Sequence, residues 1–227
     1  GGMVGPDHVV AIDVSLAARP VELTLHIFAV WTAGGGVIGL DPRSPPARQR
    51  LILSNLPAVS HVGDPAIAAA LSLDATVTLD ALWAAADAAP TSRPHNVVLP
   101  DAIGTILATS GSTGTPNAVI GSHAFIHGRQ IAGSTDPLSP GEGDRVSSEP
   151  LVLSMFAALG AGAVAVADAA RPLWDAEAYV RFLTDNGITA LALSPSHLAG
   201  LDPDAIPSSV RRIGLGGEAV PPRLVAR

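Results

Sequence analysis

The chain has 227 residues, of which 48% are hydrophobic and 4% aromatic, and its 13 basic and 20 acidic side chains give a formal net charge of −7. This length allows one large domain or two small ones, and the acidic balance, with no basic run, argues against binding nucleic acid through its phosphates. The absence of cysteine excludes disulfides, Cys-ligated zinc and thiol catalysis, and it fits a cytoplasmic protein.

Other absences in the sequence narrow the possible functions further. No apolar run reaches the roughly 18 residues that a membrane span needs, so we expect no membrane association. The N-terminus lacks a basic region followed by an apolar one, so no signal peptide is predicted. All 13 basic residues are arginine, so no lysine can supply an ammonium group on a flexible stem.

The first hundred residues alternate predicted strands with predicted helices. The strands are expected over residues 8–12, 37–40 and 58–59, and the helices between them begin at Arg19 and Pro45. Trp83 lies in an Ala-rich helix over residues 81–88 and is expected in the core. The alternation of strand and helix predicts an α/β fold with parallel strands.

The rest of the chain continues in the same way. Strands are expected over residues 103–108, 161–166 and 188–193, and helices from His123, over 152–159 and over 174–186. We therefore expect a layered α/β structure with mostly parallel sheets flanked by helices. Residues 1–100 are predicted to form the first layer of one compact domain, and residues 101–227 its second layer.

A stretch rich in Ser, Thr and Gly over residues 109–118 follows the predicted strand 103–108. Such a turn can aim backbone N–H groups and hydroxyls at one point, which suits a phosphate, and glycine lets the backbone approach closely. It is not a Walker loop, because the chain has no Gly-Lys-Ser/Thr. On composition alone, a flexible surface loop is an equally good interpretation.

The order of residues in this stretch resembles the phosphate-loop signature of adenylate-forming enzymes, Thr-Ser-Gly-Ser/Thr-Thr-Gly-x-Pro-Lys-Gly. The match runs from Thr109 to Pro116 and fails at Asn117 and Ala118, where the signature has lysine and glycine. The resemblance implies a vestigial phosphate- or ATP-binding loop formed by Thr109, Ser110, Gly111, Ser112, Thr113, Gly114 and Asn117.

Two more segments are similar to the adenylation domains of non-ribosomal peptide synthetases. Residues 33–45 resemble a stretch of that family that contains Leu-Asp-Pro, and residues 210–225 resemble its Gly-Gly-Glu-x-Leu-Pro-Pro segment. The resemblance implies that Gly216, Gly217 and Glu218 belong to the substrate pocket. A plain strand–turn–helix connection is the alternative for the second segment.

The resemblance also assigns a role to Glu149. Counting back from Met155 and Phe156 places Glu149 where the family has an aspartate that holds the substrate amine. Glu149 keeps the carboxylate on a longer side chain. The alternative is an exposed loop glutamate with no ligand.

Two histidines lie four residues apart after the Ser/Thr/Gly-rich stretch. His123 occupies the position of a histidine in the family's phosphate-loop segment, and His127 would share its helix face. This spacing suits a metal ion, but no third ligand follows, so we predict packing or capping roles and no metal site.

The resemblance implies a known chemistry, in which ATP and Mg²⁺ activate an amino acid as an aminoacyl-adenylate before a carrier protein is loaded. This chain lacks the family's Tyr-Gly-Pro-Thr-Glu motif, its ribose-binding aspartate and its lid lysine, and Asn117 replaces the loop lysine. We therefore expect a partial, degenerate adenylation domain without catalytic residues, a pseudoenzyme that takes no cofactor by itself.

Three functions follow from this expectation. The first is a structural or docking element within a synthetase that makes natural products, next to condensation and carrier-protein domains. The second is an enzyme, as the N-terminal half of an active adenylating domain completed by another segment or chain. The third is a binding module for those neighbouring domains in which the pocket is irrelevant. A bare sheet edge could in addition lead to a homodimer.

Overall fold

The computed structural model describes residues 4–13, 19–40, 44–57, 59–73, 76–92, 94–109, 117–128, 139–148, 152–167 and 175–225. The chain divides into two compact units, Gly1–Ile126 and His127–Arg227. Each unit contains one sheet, and the prediction of parallel sheets flanked by helices is confirmed. In the described part of the chain, no helix is both long enough and apolar enough to cross a membrane.

The first unit is built on a six-stranded sheet in the order β4-β3-β1-β2-β5-β6. All pairs are parallel except β5 with β6, which run antiparallel. The strands are β1 (Val9–Asp13), β2 (Gly36–Leu40), β3 (Val59–Val62), β4 (Thr76–Val77), β5 (Ile103–Thr109) and β6 (Asn117–Ser122). The helices are α1 (Pro20–Thr32), α2 (Pro46–Leu53), α3 (Pro65–Leu71) and α4 (Leu79–Asp87), and the helical residues 123–128, called α5, begin in this unit.

The core of the first unit follows from its parallel topology. All five residues of β1 are buried, as expected when helices cover both faces of a parallel sheet. Trp31 of α1 donates from Nε1 to the carbonyl of Gly104 over 2.7 Å, which ties the helix to β5. One cluster of buried apolar side chains in this unit contains Val9, Ala11, Ile38, Leu40, Ile52, Leu53, Leu71 and Ile106.

The second unit is built on a four-stranded sheet in the order β10-β9-β7-β8, with every pair parallel. Its strands are β7 (Arg145–Ser148), β8 (Val164–Val166), β9 (Ala190–Leu193) and β10 (Arg212–Leu215). Its helices are α6 (Val152–Gly160), α7 (Ala176–Asp185), α8 (Pro195–Ala199) and α9 (Pro222–Val225). Tyr179 of α7 reaches Ser147 of β7, with a buried contact of 2.9 Å between the two hydroxyl oxygens.

Two details differ from the sequence-based expectations. The predicted boundary at residue 100 assigned residues 103–108 to the second layer, whereas β5 pairs with β2 inside the first sheet and the division lies after Ile126. Trp83, expected in the core, is 40% exposed and contacts only the edge of the His26 ring among the described aromatic pairs, at 6.0 Å between centroids. The reason is that α4 has no buried residue, so alanine-rich composition here marks a surface helix.

Candidate functional site

The carboxyl ends of β9 and β10 meet at one edge of the second sheet. Leu193 and Leu215 are paired in the parallel ladder, so the segments that follow these strands emerge side by side. Residues 194–197 follow β9, and Gly216, Gly217 and Glu218 follow β10. In open α/β sheets, ligands bind outside the carboxyl ends of the strands, so this edge is the part of the second unit where a site is expected.

Glu218 binds the turn after β9 with both oxygens of its carboxylate. The backbone N–H of Ser196 donates to Oε2 over 3.1 Å, and the Ser196 hydroxyl donates to Oε1 over 2.8 Å. The Ser194 hydroxyl lies 3.0 Å from the Ser196 hydroxyl and 2.9 Å from Nδ1 of His197. A continuous chain of hydrogen-bonding groups therefore runs along the edge from Glu218 to His197.

Gly216 and Gly217 form an open turn beside this chain. Gly217 has φ of +84°, a conformation that a residue with a Cβ adopts only with strain. Among the described residues, a Cβ built on Gly216 or Gly217 would meet nothing within 4 Å, so no described side chain packs against the turn there. Gly216, Gly217 and Glu218, the predicted pocket residues, therefore lie together at one sheet edge. Their contact with a substrate stays a prediction.

The Ser/Thr/Gly-rich stretch starts and ends in a hairpin of the first sheet. Thr109, the last residue of β5, pairs with Asn117, the first residue of β6. The residues between them, including Ser110, Gly111, Ser112, Thr113 and Gly114, lie outside the described residues, as does Glu149. This pairing brings the two ends of the stretch together, and Asn117 begins β6 at the position where the signature has lysine.

A charged cluster at the opposite, amino edge of the second sheet was not predicted from the sequence. Asp144 accepts from Arg211 over 2.8 Å and from Arg212 over 2.6 Å. It also accepts from the Thr189 hydroxyl over 2.7 Å and from the Gly141 N–H over 3.1 Å. Asp144, Thr189 and Arg211 each precede a strand, so the cluster ties together the beginnings of β7, β9 and β10.

The protonation of Asp144 is set by these partners. Burial alone would raise the pKa of this carboxyl, but the Gly141 N–H and the Thr189 hydroxyl lower it, and Arg212 and Arg211 add a smaller effect in the same direction. The net result is a pKa below the ordinary value. Asp144 is therefore a carboxylate at neutral pH whose charge is compensated by the fold.

His61 of β3 is the most deeply buried ionisable side chain of the described first unit. It is fully buried, and neither ring nitrogen has a hydrogen-bond partner in the described part of the chain. Burial lowers the pKa of His61, while the carboxylates of Asp13 and Asp64 oppose that shift. A Cβ added to Gly63 would lie 3.2 Å from the ring, so the backbone at Gly63 packs closely on it.

The predicted roles of His123 and His127 remain predictions. His123 has a buried Nε2 without a hydrogen-bond partner among the described residues, and His127 lies in the helical residues 123–128. Across the described ranges, no group of three or more His, Asp or Glu side chains is arranged to hold a metal ion.

Comparison with known proteins shows which family this architecture belongs to. The family model described as AMP-binding enzyme matches residues 4–227, so the chain belongs to the AMP-binding enzyme family, as its resemblance to adenylate-forming enzymes predicted.

Curated relatives of the chain include peptide synthetases. Phosphinothricin tripeptide synthetase PhsC of Streptomyces viridochromogenes is 28% identical over 95% of this chain and 20% of its own length. Syringomycin synthase SyrB1 of Pseudomonas syringae is 29% identical over 89% of this chain and 34% of its own length. The chain thus spans about a third or less of these relatives.

Solved structures with the same fold cover nearly the whole chain. The N-terminal subdomain of NpsA from Klebsiella oxytoca has a TM-score of 0.72 at 22% identity and covers 99% of this chain and 57% of its own. The N-terminal domain of FACL13 from Mycobacterium tuberculosis has a TM-score of 0.76 at 17% identity, with coverages of 99% and 60%. At these identities the likeness establishes the fold.

Proposed function

We propose that this chain is part of the adenylation core of a peptide-synthetase-type enzyme in which nucleotide activation by the chain itself has been lost. The observation that carries the proposal is Asn117, which lies in the phosphate-loop stretch and begins β6. A neutral amide takes the place of the lysine that the signature has there, and the chain contains no lysine elsewhere. The proposed remaining role is structural, as a docking element for neighbouring condensation and carrier-protein domains.

The physical basis of the proposal is the charge of the nucleotide. ATP brings a chain of phosphates into the site, and Mg²⁺ would neutralise part of that charge when the nucleotide is bound. Hydrogen bonds between charged partners are worth about 1.5–3 kcal/mol, roughly twice a neutral pair. An asparagine at position 117 can still donate a hydrogen bond, but it supplies no charge, so weak nucleotide binding is expected.

Restoring the lysine tests this proposal. We expect Asn117→Lys to tighten the binding of ATP-Mg²⁺ by about tenfold or more, since 1.4 kcal/mol corresponds to a factor of ten. Isothermal titration at millimolar nucleotide measures the change. Asn117→Gln, which lengthens the side chain without adding charge, is the matched control and should leave the affinity within about threefold of wild type.

Two results would contradict the proposal of lost activation. One is clear, saturable ATP binding by the unmodified chain that Asn117→Lys does not improve. The other is pyrophosphate exchange by the unmodified chain with any amino acid. Ala118→Gly restores the glycine at the second position where the chain differs from the signature. This variant checks whether a change in the backbone, and not the added charge of the lysine, accounts for tighter binding.

A second candidate is an active amino-acid-adenylating domain of which this chain supplies one part. It is favoured by the retained sequence from Thr109 to Pro116 and by the open turn at Gly216 and Gly217. In that case Glu149 would hold the amine of the substrate, and ATP and Mg²⁺ would be needed. Pyrophosphate exchange by the complete gene product that contains this chain separates the two candidates, because only the second predicts turnover.

A homodimer is a further element of the proposal. β6 is an end strand of the described sheet, and its Val119 and Ile120 are 52% and 55% exposed. An exposed strand edge with apolar side chains is a template for pairing with another strand. We expect the 227-residue chain to dimerise with rising concentration in light scattering, and Val119→Lys to weaken the dimer. A strict monomer at high concentration would count against this element.

A further inference from the structure

The chain of hydrogen-bonding groups from Glu218 to His197 restricts where its protons can be. It has three links, which join His197 Nδ1 to Ser194, Ser194 to Ser196, and Ser196 to Glu218, at 2.9, 3.0 and 2.8 Å. Each link needs one proton, whereas the two serine hydroxyls provide only two. The third proton must come from one of the two ends of the chain.

A carboxylate has no proton to give, so Glu218 can only accept. Ser196 must then donate to Glu218, and Ser194 must donate to Ser196. The link to His197 is complete only if the ring donates from Nδ1 to the Ser194 oxygen. If the ring instead accepted at Nδ1, one of the three links would place two oxygen atoms at hydrogen-bond distance without a proton between them.

The hydroxyl of Ser194 is fully used in this arrangement. Its oxygen also accepts the backbone N–H of His197 over 3.3 Å, which is the cap of α8. With the ring N–H as a second donor and its own proton given to Ser196, the Ser194 hydroxyl makes the one donated and two accepted bonds that a hydroxyl can make. The same direction of donation therefore satisfies the two serine hydroxyls and gives the Glu218 carboxylate its donor.

We propose that Glu218 is a positioning residue, which acts through Ser196 and Ser194 to fix the imidazole of His197 with a proton on Nδ1. This differs from the pocket role that the family resemblance implies for Glu218, because both carboxylate oxygens are bound to Ser196. A free neutral imidazole in water favours the proton on Nε2, so the proposed state is imposed by the protein. The proposal holds whether or not the chain binds nucleotide.

Nitrogen-15 NMR of the full chain tests the proposal directly. At a pH about two units above the ordinary imidazole pKa of about 6.5, the two-bond correlations of a neutral ring show which nitrogen carries the proton. The wild-type protein is expected to show His197 with its proton on Nδ1. A wild-type His197 with the proton on Nε2 would overturn the proposal without any variant being made.

Variants then test the part that Glu218 plays. We expect Ser196→Ala and Glu218→Ala to shift the proton of His197 toward Nε2, because the direction of donation is no longer fixed. Ser196→Thr keeps the hydroxyl and should retain the wild-type pattern. Ser196 is preferable to Ser194 as the site of change, because Ser194 also caps α8.

The control is Glu177→Ala, which removes an exposed glutamate of α7 that pairs with Arg181. It lowers the negative charge of the chain by the same amount and should leave the His197 signals unchanged. If Ser196→Ala and Glu218→Ala also leave them unchanged in a folded protein, Glu218 has no positioning role. A shift in the glutamate control as large as that in Glu218→Ala would equally contradict the proposal, since it would be an effect of net charge.

Discussion

Replacing Asp144 with alanine is expected to lower the free energy of unfolding of the second unit by about 3 kcal/mol. Asp144 is 5% exposed in its side chain and binds four groups, so its removal leaves the Gly141 N–H without this acceptor and the Thr189 hydroxyl with only the Arg145 carbonyl, at 3.5 Å, as acceptor among the described residues. Arg211 and Arg212 are 60% and 35% exposed and can turn to water, which keeps the loss below that for a fully buried pair.

The effect of pH on Asp144 has a defined sign. Its pKa is lower in the folded chain than in the unfolded one, so the unfolded state binds the proton more tightly. The stabilisation by Asp144 is therefore complete above the ordinary carboxyl pKa of about 3.9 and is lost as the pH falls through the lower folded-state value. Acid unfolding of the second unit below pH of about 4 should be less steep in Asp144→Ala than in wild type.

Native-state hydrogen exchange of the amides in β7 and β9 measures this loss for the second unit alone. Asp101→Ala, which removes an exposed aspartate of the first unit, is the matched control and should change stability by no more than about 0.5 kcal/mol. A loss below about 1 kcal/mol in Asp144→Ala would mean that the cluster is solvated in solution and does not hold the amino edge of the sheet.

Mild acid is expected to destabilise the first unit because of His61. Burial lowers the pKa of His61 in the folded chain, with Asp13 and Asp64 opposing the shift, so the unfolded state binds the proton more tightly. The contribution of the neutral His61 ring to the free energy of unfolding is complete above the ordinary imidazole pKa of about 6.5. At lower pH it decreases by up to about 1.4 kcal/mol for each pH unit, until the folded-state pKa is reached.

Changing His61 to leucine should remove this sensitivity to acid. At neutral pH the substitution is expected to be nearly neutral or stabilising, because both ring nitrogens are buried without a partner among the described residues and an apolar side chain has nothing to satisfy. Between pH 7.5 and 5.5, the protection factors of the amides in β1 and β3, in which the intrinsic slowing of exchange by acid is corrected for, should fall in the wild type far more than in His61→Leu.

The control for His61 is His95→Gln, at an exposed position of the same unit. This variant should follow the wild type at every pH. If His61→Leu shows the same acid-dependent loss of stability as the wild type, that loss comes from another group. The buried ring of His61 then either accepts a proton without loss of stability or stays neutral over this pH range.

Local patterns in the sequence were sufficient for much of the fold. The predicted strand over residues 103–108 is β5, and the predicted parallel layers are present, because short apolar runs between turn residues carry their own signal. β6 was missed because residues 117–122 contain only a short apolar run and the partner strand β5 lies on the other side of the Ser/Thr/Gly-rich stretch. Trp83 was placed inside because residue type alone does not tell which faces of a helix are covered.

The candidate site was only partly accessible from the sequence. Gly216, Gly217 and Glu218 were predicted as pocket residues from a contiguous motif; the structure places them at the carboxyl edge of the second sheet, and their pocket role stays a prediction. The Asp144 cluster was missed because Arg211 and Arg212 lie 67 and 68 residues further along the chain, and nothing local marks such pairs. Ser196 and Ser194 were also missed as partners of Glu218, since serine next to proline usually indicates only a helix start.

The pairing of β2 with β5 has a consequence for biosynthesis. Val37 pairs with Thr105, so β2 has one side open until about seventy further residues have left the ribosome. Strand pairs that close such long loops form slowly and expose unpaired edges in the meantime. The first unit is therefore expected to depend most on chaperones while it is being synthesised, and a translational pause once Ile126 has left the ribosome would favour its correct folding.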